Sequence, residues 1–375
     1  MKILIRQFLG KNHSWSCVGW GIAHAAKQLG HQVDLFSTDG VAHLPSSLKE
    51  NLIGYTEENQ FQVFGKIPTD QYDCQISYTT MKNFPHYLTQ GNKNRFGIWT
   101  FEWFGQNVLP SGFAKNYKHC DWLCAPSNFS KQIFIDSGVP EEKIQVIPHG
   151  IDAEKYQQAT TIKLPTNKKF KILANIAQNH LRKNIPGLLE AYGKAFTNKD
   201  DVCLIIKGKD KKPTMAFEVS LSECIKNFKQ KYPAHAEIKI FSEFLEDISS
   251  LYRSVDAVFT MSFGEGFYFP GLEAIASGKM NIAPNQGGHI DFLNNTNSLL
   301  VETKIARANP NSMYWEQKTN ALWYEPSIDD AAEKLKFAYH NFEKINTTVA
   351  EQRVDVYNKY DWKTIFNSKF LPLCK

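Results

Sequence analysis

The stretch Gly264-Glu265-Gly266-Phe267-Tyr268-Phe269-Pro270-Gly271-Leu272-Glu273-Ala274-Ile275-Ala276 follows a short apolar run at residues 257–261 and is closed by Gly278. The run reads as a strand, and Pro270 suits the first turn of a helix that continues through Ala276. Strand, glycine-flanked loop and helix in that order put the segment at the carboxyl end of a strand, where open α/β sheets bind ligands. The N–H groups and positive dipole end of such a helix hold phosphate. Two carboxylates frame it, Glu265 in the loop and Glu273, read as lying in the first helical turn. Carboxylates accept paired hydrogen bonds from vicinal hydroxyls, which both a ribose and a hexose carry. A plainer reading stands beside this one, in which Glu273 complements the helix dipole and Glu265 is a solvated loop residue.

Apolar runs at residues 171–176, 202–207, 237–241 and 281–283 surround this segment and alternate with helix-like stretches. The other half of the chain repeats the theme. A strand at 2–8, a glycine-rich stretch, a helical pattern from Trp20 to Leu29, Gly30-His31 and a strand at 32–37 make a βαβ unit, which implies a parallel sheet. Further runs lie at 75–78, 95–100, 122–125 and 145–147. Residues 127–137 read as a helix with Ser127 as N-cap and Gly138 closing it. The polar stretch 153–169 has little apolar periodicity and reads as a linker. Regular alternation on both sides of it gives an α/β chain of two doubly wound domains, at 1–160 and 161–357. Residues 304–323 mix polar and aromatic types and read as a loop excursion.

Composition bounds the ligand. The 375 residues suit two domains at roughly 100–200 residues each, and 42% hydrophobic with 22% charged residues suits a soluble globular protein. A thinly spread net charge of +5 fits anionic small ligands or at most peripheral contact with an acidic membrane, and is too weak for nucleic acid. The seven cysteines form no C-x-x-C pair and read as free thiols in a reducing compartment. No second ligand pair follows Cys120 and Cys124, so no metal is expected there. Met1-Lys2-Ile3-Leu4-Ile5 enters a strand directly, without a signal-peptide pattern, and no apolar run approaches the ~20 residues of a membrane span. A cytoplasmic protein is expected.

Glu265 and Glu273 form an E-x7-E pattern that resembles the signature of retaining GT-B glycosyltransferases of family four. The resemblance continues in Arg182-Lys183-Asn184-Ile185, Leu189-Glu190-Ala191, Ile206-Lys207-Gly208, Tyr252-Arg253-Ser254-Val255-Asp256-Ala257 and the run from Ala283 to Gly288. In the first half it is carried by Gly30-His31-Gln32-Val33, by Asp121 to Ser130, by Gly138-Val139-Pro140 and by Val146 to Asp152. It implies two Rossmann-like domains facing across a cleft, with a hinge near residues 148–152. A last helix within 358–375 would cross back to the first domain. The activity implied is transfer of a sugar from a UDP- or GDP-sugar to a hydroxyl of a saccharide or lipid-linked saccharide.

The roles it implies are specific. Glu265 would contact hydroxyls of the transferred sugar and Glu273 the ribose. Backbone amides of Gly266, Phe267, Tyr268, Gly271 and Leu272 would hold sugar and diphosphate, and Lys183 with Arg182 would neutralise the diphosphate. Gly19 and Gly21 would form an N-terminal loop closing over the donor, and the segment ending in Phe244 would pass the nucleobase. Departures concern the sugar pocket. Tyr268 replaces a small residue, the family's acceptor-side histidine is not apparent, and Trp99-Thr100-Phe101-Glu102-Trp103 occupies a comparable place, with Glu102 a candidate catalytic carboxylate. A second cation, carried by the family several residues earlier, is missing from Asn175-Ile176-Ala177-Gln178-Asn179, which leaves Arg182.

Catalysis then rests on preorganised positive charge at the leaving diphosphate, where losing one donor costs roughly 3–4 kcal/mol. No D-x-D pair occurs, so neither cofactor nor divalent metal is expected. Four other features have two readings each. Lys207, Lys209, Lys211 and Lys212 form a solvated loop or an anion contact. Trp99, Phe101, Trp103 and Phe104 stack on an acceptor or pack a core. His149 is structural or touches the donor, and His180 is likewise open. The competing functions are another GT-B enzyme (a glycoside phosphorylase or sugar-nucleotide epimerase) and a non-catalytic nucleotide-sugar-binding protein.

Overall fold

The structure, a computed structural model, describes residues 1–10, 13–53, 71–88, 94–177, 180–208, 220–310 and 320–374. They form two compact units, Met1–Phe101 with Gln106–Asp152 and Asn358–Lys375, and Glu102–Gly105 with Ala153–Tyr357.

The first unit is built on β1 (Lys2–Gln7), β2 (Gln32–Ser37), β3 (Cys74–Tyr78), β4 (Arg95–Ile98), β5 (Trp122–Ala125) and β6 (Ile144–Val146). All pairs are parallel, in the order β2-β1-β3-β4-β5-β6. Such strands are covered on both faces, which is why Ile3, Ile5, Ile76, Phe96 and Leu123 are all fully buried. The helix Ser14–Gln28 follows β1, and His13 starts it by accepting the Trp15 N–H on Nδ1 at 3.1 Å. The helix Asn128–Asp136 is capped by Ser127, whose Oγ accepts from Ser130 N at 3.1 Å. Its far end closes on Gly138, at φ +88, in the left-handed conformation that glycine adopts without cost. In the same unit, Ile151 pairs with the chain's last helical segment through a parallel bridge to Asp361.

The second unit carries β7 (Phe170–Ala177), β8 (Val202–Gly208), β9 (Glu237–Phe241), β10 (Ala257–Phe259), β11 (Met280–Pro284) and β12 (Ser298–Val301), in the order β12-β11-β10-β7-β8-β9. It too is wholly parallel. Connections from β7 run outward through β8 and β9, and those from β10 run the other way through β11 and β12. The β7/β10 pair is therefore a topological switch point, the place where such sheets open a crevice for ligands. The doubly wound α/β reading holds in both units.

Two local readings change. The stretch at 153–169 opens with a helical segment, Ala153–Gln158. The 304–323 excursion has paired ends: β13 (Thr303–Arg307) and β14 (Leu322–Pro326) form an antiparallel ribbon. The pairing joins residues far apart in sequence, and neither run alternates strongly enough to announce itself. Among the described residues no helix is long and apolar enough to cross a membrane.

Candidate active site

Two loops at the β7/β10 switch point meet. After β7 the chain makes a 3-10 turn, Leu181–Lys183, and Asn184 (φ 48) starts the helix Ile185–Ala195 by accepting Gly187 N–H on Oδ1 at 3.2 Å. Asparagine tolerates the left-handed region, so the turn presents Arg182 and Lys183 together at the helix start. Phe263 N donates to Arg182 O at 2.9 Å and stitches this turn to the loop after β10.

In that second loop Glu265 is only 6% exposed. Lys183 Nζ donates to Oε1 at 2.6 Å and Ser262 Oγ to the same oxygen at 2.7 Å. Arg182 Nη1 lies 3.1 Å from Oε2 and also donates to Gly264 O at 2.7 Å. Gly288 N holds the Glu265 carbonyl at 2.7 Å, so the Gly287-Gly288 pair braces the loop. Glu102 completes the group, with Oε1 3.7 Å from Arg182 Nη2. Its backbone presses so close that a Cβ on Gly264 would stand 2.3 Å from Glu102 O.

The electrostatics follow from burial and pairing. Burial alone would raise Glu265, but Lys183 and Arg182 outweigh it and hold the carboxyl at about 2. Burial pushes Glu102 up, with Arg182 opposing and Glu265 adding to the shift. Burial draws Lys183 down, against the pull of Glu265. Both cations are thus engaged by Glu265, and an incoming anion must share them.

Glu273 sits apart. The helix runs Phe269–Ala276, so Glu273 stands beyond the first turn, a correction that follows from the helix starting at Phe269. Tyr156 Oη donates to its Oε1 at 3.0 Å, and Tyr252, which accepts from Asn175 Nδ2 at 2.9 Å, adds a second bond. Burial raises the Glu273 carboxyl and the two tyrosine bonds oppose it. The helix closes on Gly278 (φ +70), with Lys279 N donating to Ala274 O at 2.9 Å. Phe267 and Leu272 bury their side chains, which leaves only their backbone for a ligand.

Other expected residues fall elsewhere. Gly19 and Gly21 lie inside the helix Ser14–Gln28, not in a loop. Their missing side chains make room for neighbours: a Cβ on Gly21 would stand 2.1 Å from Trp362 Nε1, and one on Gly19 2.6 Å from Gln7 Nε2. Gly150 makes the same room, with Trp362 Cδ2 2.6 Å from its would-be Cβ. Phe244 is 54% exposed. Trp99, Phe101 and Trp103 are buried, Trp99 stacking on Phe134 at 5.8 Å, so for these three the core reading holds. Phe104 stacks on Tyr324 at 4.4 Å, and Trp323 of the same β14 stacks on Phe263 at 4.1 Å beside the Glu265 loop. His149 is buried, its Nε2 3.2 Å from Tyr78 Oη. Lys207 Nζ donates to Glu243 O at 2.7 Å, while Gln178, Asn179, Lys209, Lys211 and Lys212 lie outside the described residues. Sequence reasoning passed over Ser262, Tyr156 and Tyr252; of these, only Tyr252 sat in a run that had been singled out.

Comparison with known proteins follows the same division. The family model for glycosyl transferases group 1 matches residues 157–346, just over half the chain, and that for Glycosyltransferase Family 4 matches 71–155. Among solved structures, Anabaena HepE in complex with UDP-glucose superposes with a TM-score of 0.69 at 15% identity, covering 98% of this chain and 97% of that one. A glycosyltransferase from Rickettsia africae gives 0.69 at 19% identity over 99% and 98% of the two chains. Sucrose-phosphate synthase from Thermosynechococcus elongatus gives 0.68 at 14% over 97% and 96%. At these identities the likeness is one of fold, the GT-B fold. No curated protein matches the sequence.

Proposed function

This chain belongs to the glycosyl transferases group 1 family and is a glycosyltransferase, and on that premise we propose that it moves a sugar from a UDP- or GDP-sugar to a saccharide hydroxyl with retention of anomeric configuration. The observation that carries the reading is the buried Arg182–Glu265–Lys183 group at the β7/β10 switch point. Breaking the anomeric bond puts negative charge on the departing diphosphate. Two cations already oriented there stabilise that charge without reorganising, which is ordinarily the largest single contribution to such catalysis. With that charge supplied by side chains, the reaction runs without a divalent metal or cofactor.

Glu265, ionised and fixed, accepts hydrogen bonds from hydroxyls of the transferred sugar, and Glu273 from those of the ribose. Amides from Gly266 to Leu272 hold the diphosphate. Glu102 positions Arg182. A double displacement needs two carboxylates about 5–5.5 Å apart flanking the bond. Glu265 is bound to two cations and is a poor nucleophile, so attack occurs on the front face and a donor phosphate oxygen takes the acceptor proton. Mass spectrometry finding a covalent sugar on Glu265 or Glu102 would overturn that step. UDP is favoured as the carrier because the HepE neighbour is in complex with UDP-glucose. The seven cysteines, Cys17, Cys74, Cys120, Cys124, Cys203, Cys224 and Cys374, none bridged to another in a disulfide, support a cytoplasmic setting, with peripheral membrane contact if the acceptor is lipid-linked.

Thermal-shift titration with UDP and GDP, followed by assays on matching nucleotide sugars, tests this. Acceptor-dependent release of nucleoside diphosphate is expected. Turnover that requires phosphate, turnover that leaves nucleotide and sugar joined, or binding without any release would point to a phosphorylase, an epimerase or a binding protein instead.

A further inference from the structure

Tyr268 bears two costs at once. Four non-glycine residues have positive φ among the described residues, and three of them are asparagines. The fourth is Tyr268, at φ 75, ψ 69. Left-handed backbone strains a bulky L-residue, and outliers of this kind gather at functional sites. The second cost is chemical. Tyr268 is 5% exposed, and its Oη is buried with no hydrogen-bond partner among the described residues. Such a group gives up its hydrogen bonds to water with no return, and a phenylalanine would fill the same volume without that loss.

The ring itself is firmly seated. It lies over Gly271, where a Cβ would stand 2.5 Å from Tyr268 Cδ1, and meets the His289 ring edge-on at 5.5 Å. Packing therefore accounts for the ring and leaves the hydroxyl unexplained. Burial pushes the phenol well up, and the charges of Glu265 and Glu273 push it further, so it keeps its proton and can only donate usefully. Neither carboxylate absorbs that proton. Glu265 is taken by Lys183, Arg182 and Ser262, and Glu273 by Tyr156 and Tyr252.

We propose that the Tyr268 hydroxyl is a ligand of the donor diphosphate, donating a hydrogen bond to one of its oxygens. The inference rests on the roles given above to Glu265 and Glu273. In a nucleotide sugar the diphosphate lies between sugar and ribose, and Tyr268, between Glu265 and Glu273 in the chain, is the N-cap of the helix Phe269–Ala276 with its ring over Gly271. The strained backbone at residue 268 then holds the phenol at the start of the helix Phe269–Ala276, beside the amides that serve the same anion.

The test is Tyr268→Phe, which keeps the ring. Dissociation constants for UDP and GDP are measured by calorimetry on both proteins, with uridine and guanosine as phosphate-free controls, alongside the melting temperature without ligand. A hydrogen bond to a charged group predicts about a tenfold weaker nucleoside diphosphate, unchanged nucleoside, and a ligand-free melting temperature at or above wild type. Equal diphosphate affinity in the two proteins overturns the proposal, and so does an equal loss for diphosphate and nucleoside. Wild type binding neither UDP nor GDP sinks the underlying donor-site reading and the proposal with it, an outcome visible before any variant is made.

Discussion

The two sheets share a doubly wound plan, yet their switch points carry opposite chemistry. At β7/β10 the loops bring together Arg182, Lys183, Glu265 and Glu102, four ionisable groups in a buried setting. At the corresponding β1/β3 point of the first sheet the loops bring rings. Phe8 stacks on Trp15 at 5.8 Å, and Trp15 on Tyr78 at 5.1 Å, all near the carboxyl ends of β1 and β3. Gln7 pins this column, its Nε2 donating to Trp15 O at 2.6 Å and its Oε1 accepting Tyr78 N–H at 3.1 Å. Behind Tyr78 lies His149, held neutral by burial with a pKa lowered to about 3. The strand order selects where a ligand goes, and the loop residues select which ligand. One edge carries paired charges, the other stacked rings.

The sharpest way to break this contrast is to remove a cation. Lys183→Ala should lower kcat by about 10²–10³-fold, the cost of one lost charge-stabilising donor, in an initial-rate assay of diphosphate release. It should also lower stability, because Glu265 is left with less compensation for its burial. An unchanged kcat would detach the charged edge from catalysis. Glu265→Gln should slow transfer while nucleotide affinity survives, whereas Glu273→Ala should weaken UDP or GDP binding about tenfold. Equal nucleotide affinity in Glu273→Ala and wild type counts against the ribose assignment.

Acid separates the two edges next. His149 has a depressed folded pKa, so below pH ~6.5 the unfolded chain takes up a proton that the fold refuses, and stability falls as pH drops toward 3. By pH 5 that amounts to about 2 kcal/mol, and His149→Gln should abolish this part of the slope in urea melts at pH 7 and 5. Glu265, held at about 2, keeps its full contribution down to pH ~4.5 and loses it only between there and 2. Glu265→Gln should leave the slope between pH 7 and 5 unchanged. The smallest expected effect is at Trp15: with the acceptor proposed to lie against this ring column, Trp15→Ala should raise the acceptor KM a few-fold, by about 1 kcal/mol of aromatic contact, and leave UDP or GDP affinity alone. A change in nucleotide affinity with the same acceptor KM would reverse the assignment of that edge.

Legibility in the sequence tracked how local each feature is. Trp122–Ala125 was readable to the residue because a buried parallel strand is a short apolar run, and so was the edge strand Glu237–Phe241, from its isoleucines and phenylalanine. Glu265, Lys183 and Arg182 were readable as separate signals, a carboxylate between glycines and a basic pair before a helix. Their mutual engagement was not, since it depends on two loops 82 residues apart meeting at one switch point. The bond from Tyr156 to Glu273 spans 117 residues and starts in a stretch read as linker. The resemblance put Gly19 and Gly21 in a loop, while their actual neighbours, Gln7 and Trp362, include a residue near the other end of the chain.

That tryptophan has a bearing on how the protein is made. The socket formed by Gly21 and Gly150 receives a side chain from Asn358–Lys375, and the whole of the second unit is encoded before that segment. Domains emerging from the ribosome generally fold in order, first in, first finished. Here the unit that begins first is completed last. Until then the room at Gly21 and Gly150 has no indole to fill it.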